Sequence, residues 1–238
     1  MKRIVVVITL LSLFSCSDKE VLLPQEEVSV MREIVDHSPI YMFFKTESNQ
    51  YNKKKTDTII EVNRKNSISS TNWVFNIDKR LPLKLVIPEL IVLQNKKKKS
   101  SHAKEGTMNV FTYSDSVSKN LAFLPFTDVK FEYRNQLQDT LSSEIVEKTN
   151  HSQKLNIYFK KDNSIVVDGN EVSRNEFIDF VKKQTTTTVG PGKAIVVCLH
   201  FDDRLTYKQY LHNKILVWRI NSDKVQLSST ELILKHRK

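Results

Sequence analysis

The chain has 238 residues, and 37 lysines and arginines against 27 carboxylates give it a formal charge of +10. Its hydrophobic share of 39% is enough for a packed core in one large domain or two small ones. Four glycines, at 106, 169, 190 and 192, are too few for glycine-rich phosphate cradles, and the basic balance favours anionic partners such as lipid head groups, wall polymers or acidic protein faces.

The N-terminus reads as a processing signal. Lys2 and Arg3 precede an apolar run of eleven residues, Ile4 to Phe14. A membrane-spanning helix needs about 20 apolar residues, so the run predicts a cleaved secretory signal over 1–15. Its end, "LFSC", resembles the lipobox of bacterial lipoproteins, with an aliphatic residue at −3, a small one at −1, then cysteine. The resemblance implies a diacylglyceryl group on the Cys16 thiol and cleavage before Cys16. That leaves 223 residues, and loss of Lys2 and Arg3 takes the charge from +10 to +8. Serine rather than aspartate at position 17 implies delivery to the outer membrane. With Cys16 lipidated, Cys198 has no partner in the chain, so no disulfide framework is expected.

Residues 16–29 read as a polar tether, followed by a first unit over 30–133. It opens with a turn and an aromatic-rich strand in "EIVDHSPIYMFFKTE" (Glu33–Glu47). Lysine-rich loops are expected over 48–57 and 95–106. "LPLKLVIPELIVLQ" (Leu81–Gln94) holds two prolines and fits either strand-turn-helix or a long edge strand. Leu137, Leu141 and Ile145 recur at four-residue steps, which predicts a helix over 134–148 inside a connector of 134–153.

The second unit, 154–238, is the more legible. "VDGNEV" sets Asp-Gly between alternating apolar residues, a hairpin signal. Ser173 or Asn175 caps the helix that follows. "TVGPGK" (Thr188–Lys193) is a turn, lacking the spacing and final hydroxyl of a phosphate loop. "KAIVVCLHF" (Lys193–Phe201) predicts a buried central strand. Thr206 caps a helix with Tyr207, Tyr210, Leu211, Ile215 and Trp218 on one face.

Internal matches point to a duplication. Glu33–Glu47 pairs with Glu144–Asp162, Glu89–Lys97 with Glu176–Gln184, and Tyr113–Phe123 with Phe201–Leu211, at spacings of 111, 87 and 88 residues. The fold class expected is α/β (α+β): two-layer mixed sheets with helices on one face, in two tandem units.

Over 154–234 the second unit resembles the periplasmic domain of the ExbD/TolR family. The residues that carry this are Ile157–Phe159, "IVVDGNEVS" (165–173), "NEFIDFVKKQ" (175–184), "AIVVCLHFDD" (194–203), "TYKQYL" (206–211) and "KVQLSSTELI" (224–233). The resemblance implies a module that dimerises and contacts partners in ExbB/ExbD- or TonB-type complexes. Members carry an N-terminal transmembrane helix with an aspartate, which a lipid anchor does not replace, so no proton conduction is expected.

The chain shows no H-E-x-x-H, G-x-S-x-G or paired C-x-x-C pattern, and no nucleic-acid-binding motif. His200 with Asp202 and Asp203 is too sparse for a metal site. The reading is therefore non-catalytic, without cofactor. Asp203, Arg204, Tyr207 and Tyr210 are the candidate partner-binding residues, and Cys16 is the lipid-attachment site. Expected partners are the membrane, an envelope motor complex or a cell-wall polymer. The alternative is a surface lipoprotein that binds a soluble ligand or glycan. The chain would be a monomer holding an internal pseudo-dimer, or a homodimer.

Overall fold

A computed structural model of the chain describes residues 19–48, 56–135, 154–188, 194–220, 222 and 224–236. The predicted signal, the lipidated cysteine, and residues 136–148 of the predicted helix lie outside these. Arg134 and Asn135, placed in that helix by spacing, are strand. Among the described residues, no helix is long and apolar enough to cross a membrane.

The architecture is mixed α/β, with two mixed sheets. The first contains β1 (Gln25–Glu26), β2 (His37–Ser48), β3 (Thr56–Asn63), β4 (Asn72–Ile77), β5 (Asn109–Asp115) and β6 (Leu121–Pro125), with α1 (Leu83–Lys98) between β4 and β5. The second contains β7 (Lys130–Asn135), β8 (Lys154–Phe159), β9 (Ile165–Val167), β10 (Asn170–Val172), β11 (Ile195–Asp202) and β12 (Val225–Lys235). There α2 (Phe177–Thr188) precedes β11 and α3 (Tyr207–Trp218) joins β11 to β12.

The sheets share an order. β3-β2-β4-β5 in the first matches β9-β8-β11-β12 in the second: an antiparallel hairpin, then parallel strands joined by a helix. Tyr41 lies opposite Asn76 and Tyr158 opposite His200, which fixes the correspondence at 117 residues for β2 and β8 and 124 for the segments from β4 and β11 into their helices. Of the three predicted internal matches, the aromatic strands do correspond. The other two do not, because α1 takes the place of α3, not α2, and Tyr113–Phe123 is a β-hairpin, not a strand and helix. β3 begins at Thr56, inside the loop expected over 48–57, because its Ile59, Ile60 and Val62 favour extended chain despite the lysines before them.

Two unit boundaries move. Gln25–Glu26, assigned to the tether, pairs in parallel with Ser114–Asp115. β7, at the end of the first unit, pairs in parallel with Thr230–Lys235 and so completes the second sheet. Each sheet therefore takes in chain from outside the predicted bounds of its unit.

Each helix follows from burial and capping. α1 buries Leu83, Val86, Ile87, Leu90, Leu93 and Lys97 along one face, which offsets the hydrogen bond that Pro88 removes. Lys96–Lys98 meet its negative C-terminal end. α3 has a capping box, with Gln209 N–H on Thr206 Oγ1 at 3.3 Å and Thr206 N–H on Gln209 Oε1 at 2.9 Å. Asn213 through Val217 are all buried as well, so α3 is enclosed on nearly every side, while Trp218 emerges. α1 and α3 touch each other, α1 reaches β3 and β7, and α3 contacts Phe111 of one sheet and Phe201 of the other. One helical layer thus serves both sheets within a continuous core. In the predicted hairpin Asp168 and Gly169 have φ of 43° and 85°, as a two-residue turn between β9 and β10 requires.

Candidate functional site

The chain carries "DKRLP" at Asp78–Pro82 and "DDRLT" at Asp202–Thr206, each where a central parallel strand turns into its helix. In each turn the aspartate holds the arginine two residues on. Arg80 Nε lies 2.8 Å from Asp78 Oδ1 and its Nη2 2.6 Å from Oδ2, and the Arg80 N–H also donates to Oδ1 at 3.0 Å. Arg204 repeats this on Asp202 at 2.8, 2.5 and 2.9 Å. Burial pushes both carboxyls up, but the arginine forks and the backbone donors outweigh it and hold both below the ordinary carboxylate value.

The two turns meet. Pro82 and Thr206 form an antiparallel bridge. Leu83 N–H donates to Leu205 O at 2.8 Å, and Tyr207 N–H to Leu81 O at 2.7 Å. Lys84 N–H donates to Asp203 O at 2.8 Å, and Lys208 N–H to Lys79 O at 3.1 Å. Adding 124 to the donor's number and subtracting 124 from the acceptor's turns the Leu83 and Lys84 bonds into the Tyr207 and Lys208 bonds, so the arrangement is a pseudo-twofold within one chain. The first N–H groups of a helix have no partner inside it. Here each unit's turn supplies carbonyls to the other unit's helix, which explains why Pro82 needs no side-chain cap. Each such bond contributes ~0.5–1.5 kcal/mol net, while a buried donor left unpaired costs ~1–3 kcal/mol.

Of the predicted partner-binding residues, Asp203 and Arg204 lie on this junction, partly exposed. Asp203 Oδ1 is buried without a hydrogen bond among the described residues. Burial, and then the neighbouring Asp202 carboxylate, push the Asp203 carboxyl above its ordinary value. Burial, with the Asp203 charge second, pushes the Tyr133 hydroxyl up to about 12. Tyr207 and Tyr210 are fully buried, which corrects their assignment to a partner surface. They stand on the enclosed helix, with their rings against Phe111 from the first sheet at 5.8 and 5.9 Å. They lock the two units together.

Sequence reasoning missed a charged cluster in the core. Tyr210 donates to Glu231 Oε2 at 2.8 Å, and Lys214 binds Glu231 Oε1. A two-residue register shift in β12 opposite Cys198 pairs Glu231 with Leu199 on the core face of the sheet. The equivalent positions in the first unit are Val86, Leu90 and Phe111, all apolar and buried. Lys214, inside the apolar stretch of α3, is the sequence signal for the cluster. The repeated Asp-x-Arg-Leu was equally visible and marks the junction.

The other side of β11 carries Cys198 and His200. Burial pushes the Cys198 thiol up, away from a thiolate. His200 is buried, stacked on Tyr158 at 4.1 Å, with Nε2 3.3 Å from Asn156 Oδ1. Among the described residues no three histidine, cysteine or carboxylate side chains gather as metal ligands. In comparisons with known proteins, no family model matches the chain, and no curated protein or solved structure matches it significantly.

Proposed function

We propose that the chain is a lipid-anchored, non-catalytic interaction module of the cell envelope. It is built from two ExbD/TolR-like units that form an internal pseudo-dimer. The observation that carries this reading is the reciprocal capping at the Pro82–Thr206 bridge. It is an isologous contact, the kind a homodimer makes across a true dyad, held here within one polypeptide. The order of β8, the β9–β10 hairpin, α2, β11, α3 and β12 supports the likeness of the second unit to that family.

Docking is by strand addition at the edge of the first sheet. Among the described residues β3 pairs only with β2; it runs for eight residues and begins exposed. Its counterpart edge, β10, has three residues and carries Glu171, which blunts it. The partner is a subunit of an ExbB/ExbD- or TonB-type complex, reached from a lipid anchor at Cys16 in the outer membrane.

A photo-crosslinking residue at Thr58, activated in intact cells, tests this. Capture of an envelope motor subunit supports the reading. Capture of cytoplasmic proteins alone refutes it, as does absence of acyl chains on Cys16 by mass spectrometry.

A further inference from the structure

The outer face of the first sheet carries an open groove of about 380 Å³, walled on one side by Lys19, Val21 and Leu23. Its floor follows from strand register. Tyr41 lies opposite Asn63 of β3 and Asn76 of β4, so one aromatic ring sits between two amides in a single cross-strand row. All three side chains are half-exposed. Phe43 stacks beside Tyr41, with ring centroids 5.9 Å apart and planes 16° apart. In the next row Phe43 faces Glu61, whose carboxylate takes both Lys19 and Lys45. Two ammonium groups on one carboxylate leave a surplus positive charge at the rim.

The second sheet provides an internal comparison. The same row there reads Val166, Tyr158, His200. The His200 ring stacks on Tyr158 and fills the space. A tyrosine common to both units, partly buried in each, is thus flanked by amides in one and by a valine and a stacked histidine in the other.

We propose that this groove binds an acidic sugar, a pyranose bearing a carboxylate or phosphate. A pyranose has an apolar C–H face and a hydroxyl edge. The Tyr41 ring takes the face, and the amides of Asn63, whose Oδ1 already accepts from Lys65 N–H at 3.1 Å, and of Asn76 offer hydrogen-bonding groups to neighbouring hydroxyls, with Asn63 serving through its NH2. The surplus ammonium faces the anionic substituent. The backbone groups of β2 and β4 under the groove are spent on the sheet ladder, so the site does not suit an added peptide strand. The volume is at the small end for ligand sites, which fits one ring. This site stands apart from the pseudo-dimer.

The test is saturation-transfer NMR on the detergent-purified full chain with glucuronate. A ligand held by one ring and two amides binds with Kd of about 1 mM. Saturable transfer to the sugar ring protons is expected, with glucose binding more weakly. Asn76→His and Asn63→Val each install the second unit's residue and should weaken binding at least tenfold (~10-fold is about 1.4 kcal/mol) with an unchanged circular dichroism spectrum. Lys45→Gln should remove the preference for glucuronate over glucose. Competition by a soluble glucuronate polymer, or by phosphatidylcholine vesicles carrying a glucuronosyl diacylglycerol, supports the site and distinguishes a wall source from a lipid source. No saturable transfer, or transfer that survives both asparagine substitutions, overturns the proposal.

Discussion

Lys214→Leu should be among the most damaging single changes in the second unit. The Lys214 side chain is 10% exposed and that of Glu231 is 1% exposed, so the pair has left water almost completely. Removing the lysine strands a buried carboxylate with the Tyr210 hydroxyl as its remaining donor. Breaking a buried pair from one side costs ~3–5 kcal/mol, whereas replacing both partners by apolar groups is often neutral or better. The first unit already uses the apolar version, with Val86, Leu90 and Phe111 in the same places. The triple variant Tyr210→Phe, Lys214→Leu, Glu231→Leu should therefore recover at least ~2 kcal/mol of the single-site loss. Urea unfolding at pH 7, with the slope checked for constancy, measures both. A loss under ~1 kcal/mol in Lys214→Leu, or a triple variant as unstable as the single one, would refute the reasoning.

Burial holds Lys97 to about 8, below its ordinary 10.5, beside the Trp73 ring and the Met108 carbonyl. Between those values the unfolded chain binds the extra proton, so the native state gains stability as pH rises from 8 toward 10.5. The gain is ~2 kcal/mol, and Lys97→Met should lack it in melts across that range. The depressed carboxyl of Asp202 has the opposite sense: its stabilisation is present above the ordinary aspartate value and is lost as pH falls through the folded one. Asp202→Asn should therefore cost ~1 kcal/mol at pH 7, modest because Arg204 keeps part of its surface in water, and the difference should shrink as acid unfolding is carried to progressively lower pH.

The second unit was legible because its signals are local. β-branched residues in "AIVVCLHF", Asp-Gly in the hairpin, and Thr206 with Gln209 before α3 each state their structure within a few residues. The first unit hides the same order of four strands. Pro82 and Pro88 obscure α1, whose N-terminus is capped by carbonyls more than 100 residues away. The lysines before β3 mask its short β-branched core, and two-residue β1 has no pattern to read. Apolar spacing placed Tyr207 and Tyr210 on one helical face correctly. It could not reveal a second sheet waiting to cover them. A duplication was expected from helix and strand segments of biased composition, while the repeated Asp-x-Arg-Leu lies in two turns whose importance is tertiary.

A disulfide across the pseudo-dyad tests the central claim most directly. Pro82 and Thr206 form a bridge pair flanked by the Leu83–Leu205 and Tyr207–Leu81 hydrogen bonds. Such non-hydrogen-bonded pairs bring Cα atoms to about 4.5 Å, within disulfide range. Pro82→Cys with Thr206→Cys, in a Cys198→Ser background, should oxidise readily. The product should run at the mass of a single chain, which is 27.7 kDa before removal of the signal, and yield a peptide linked between positions 82 and 206. A product of twice that mass joining those positions between chains, or no crosslink under mild oxidation, would contradict the account.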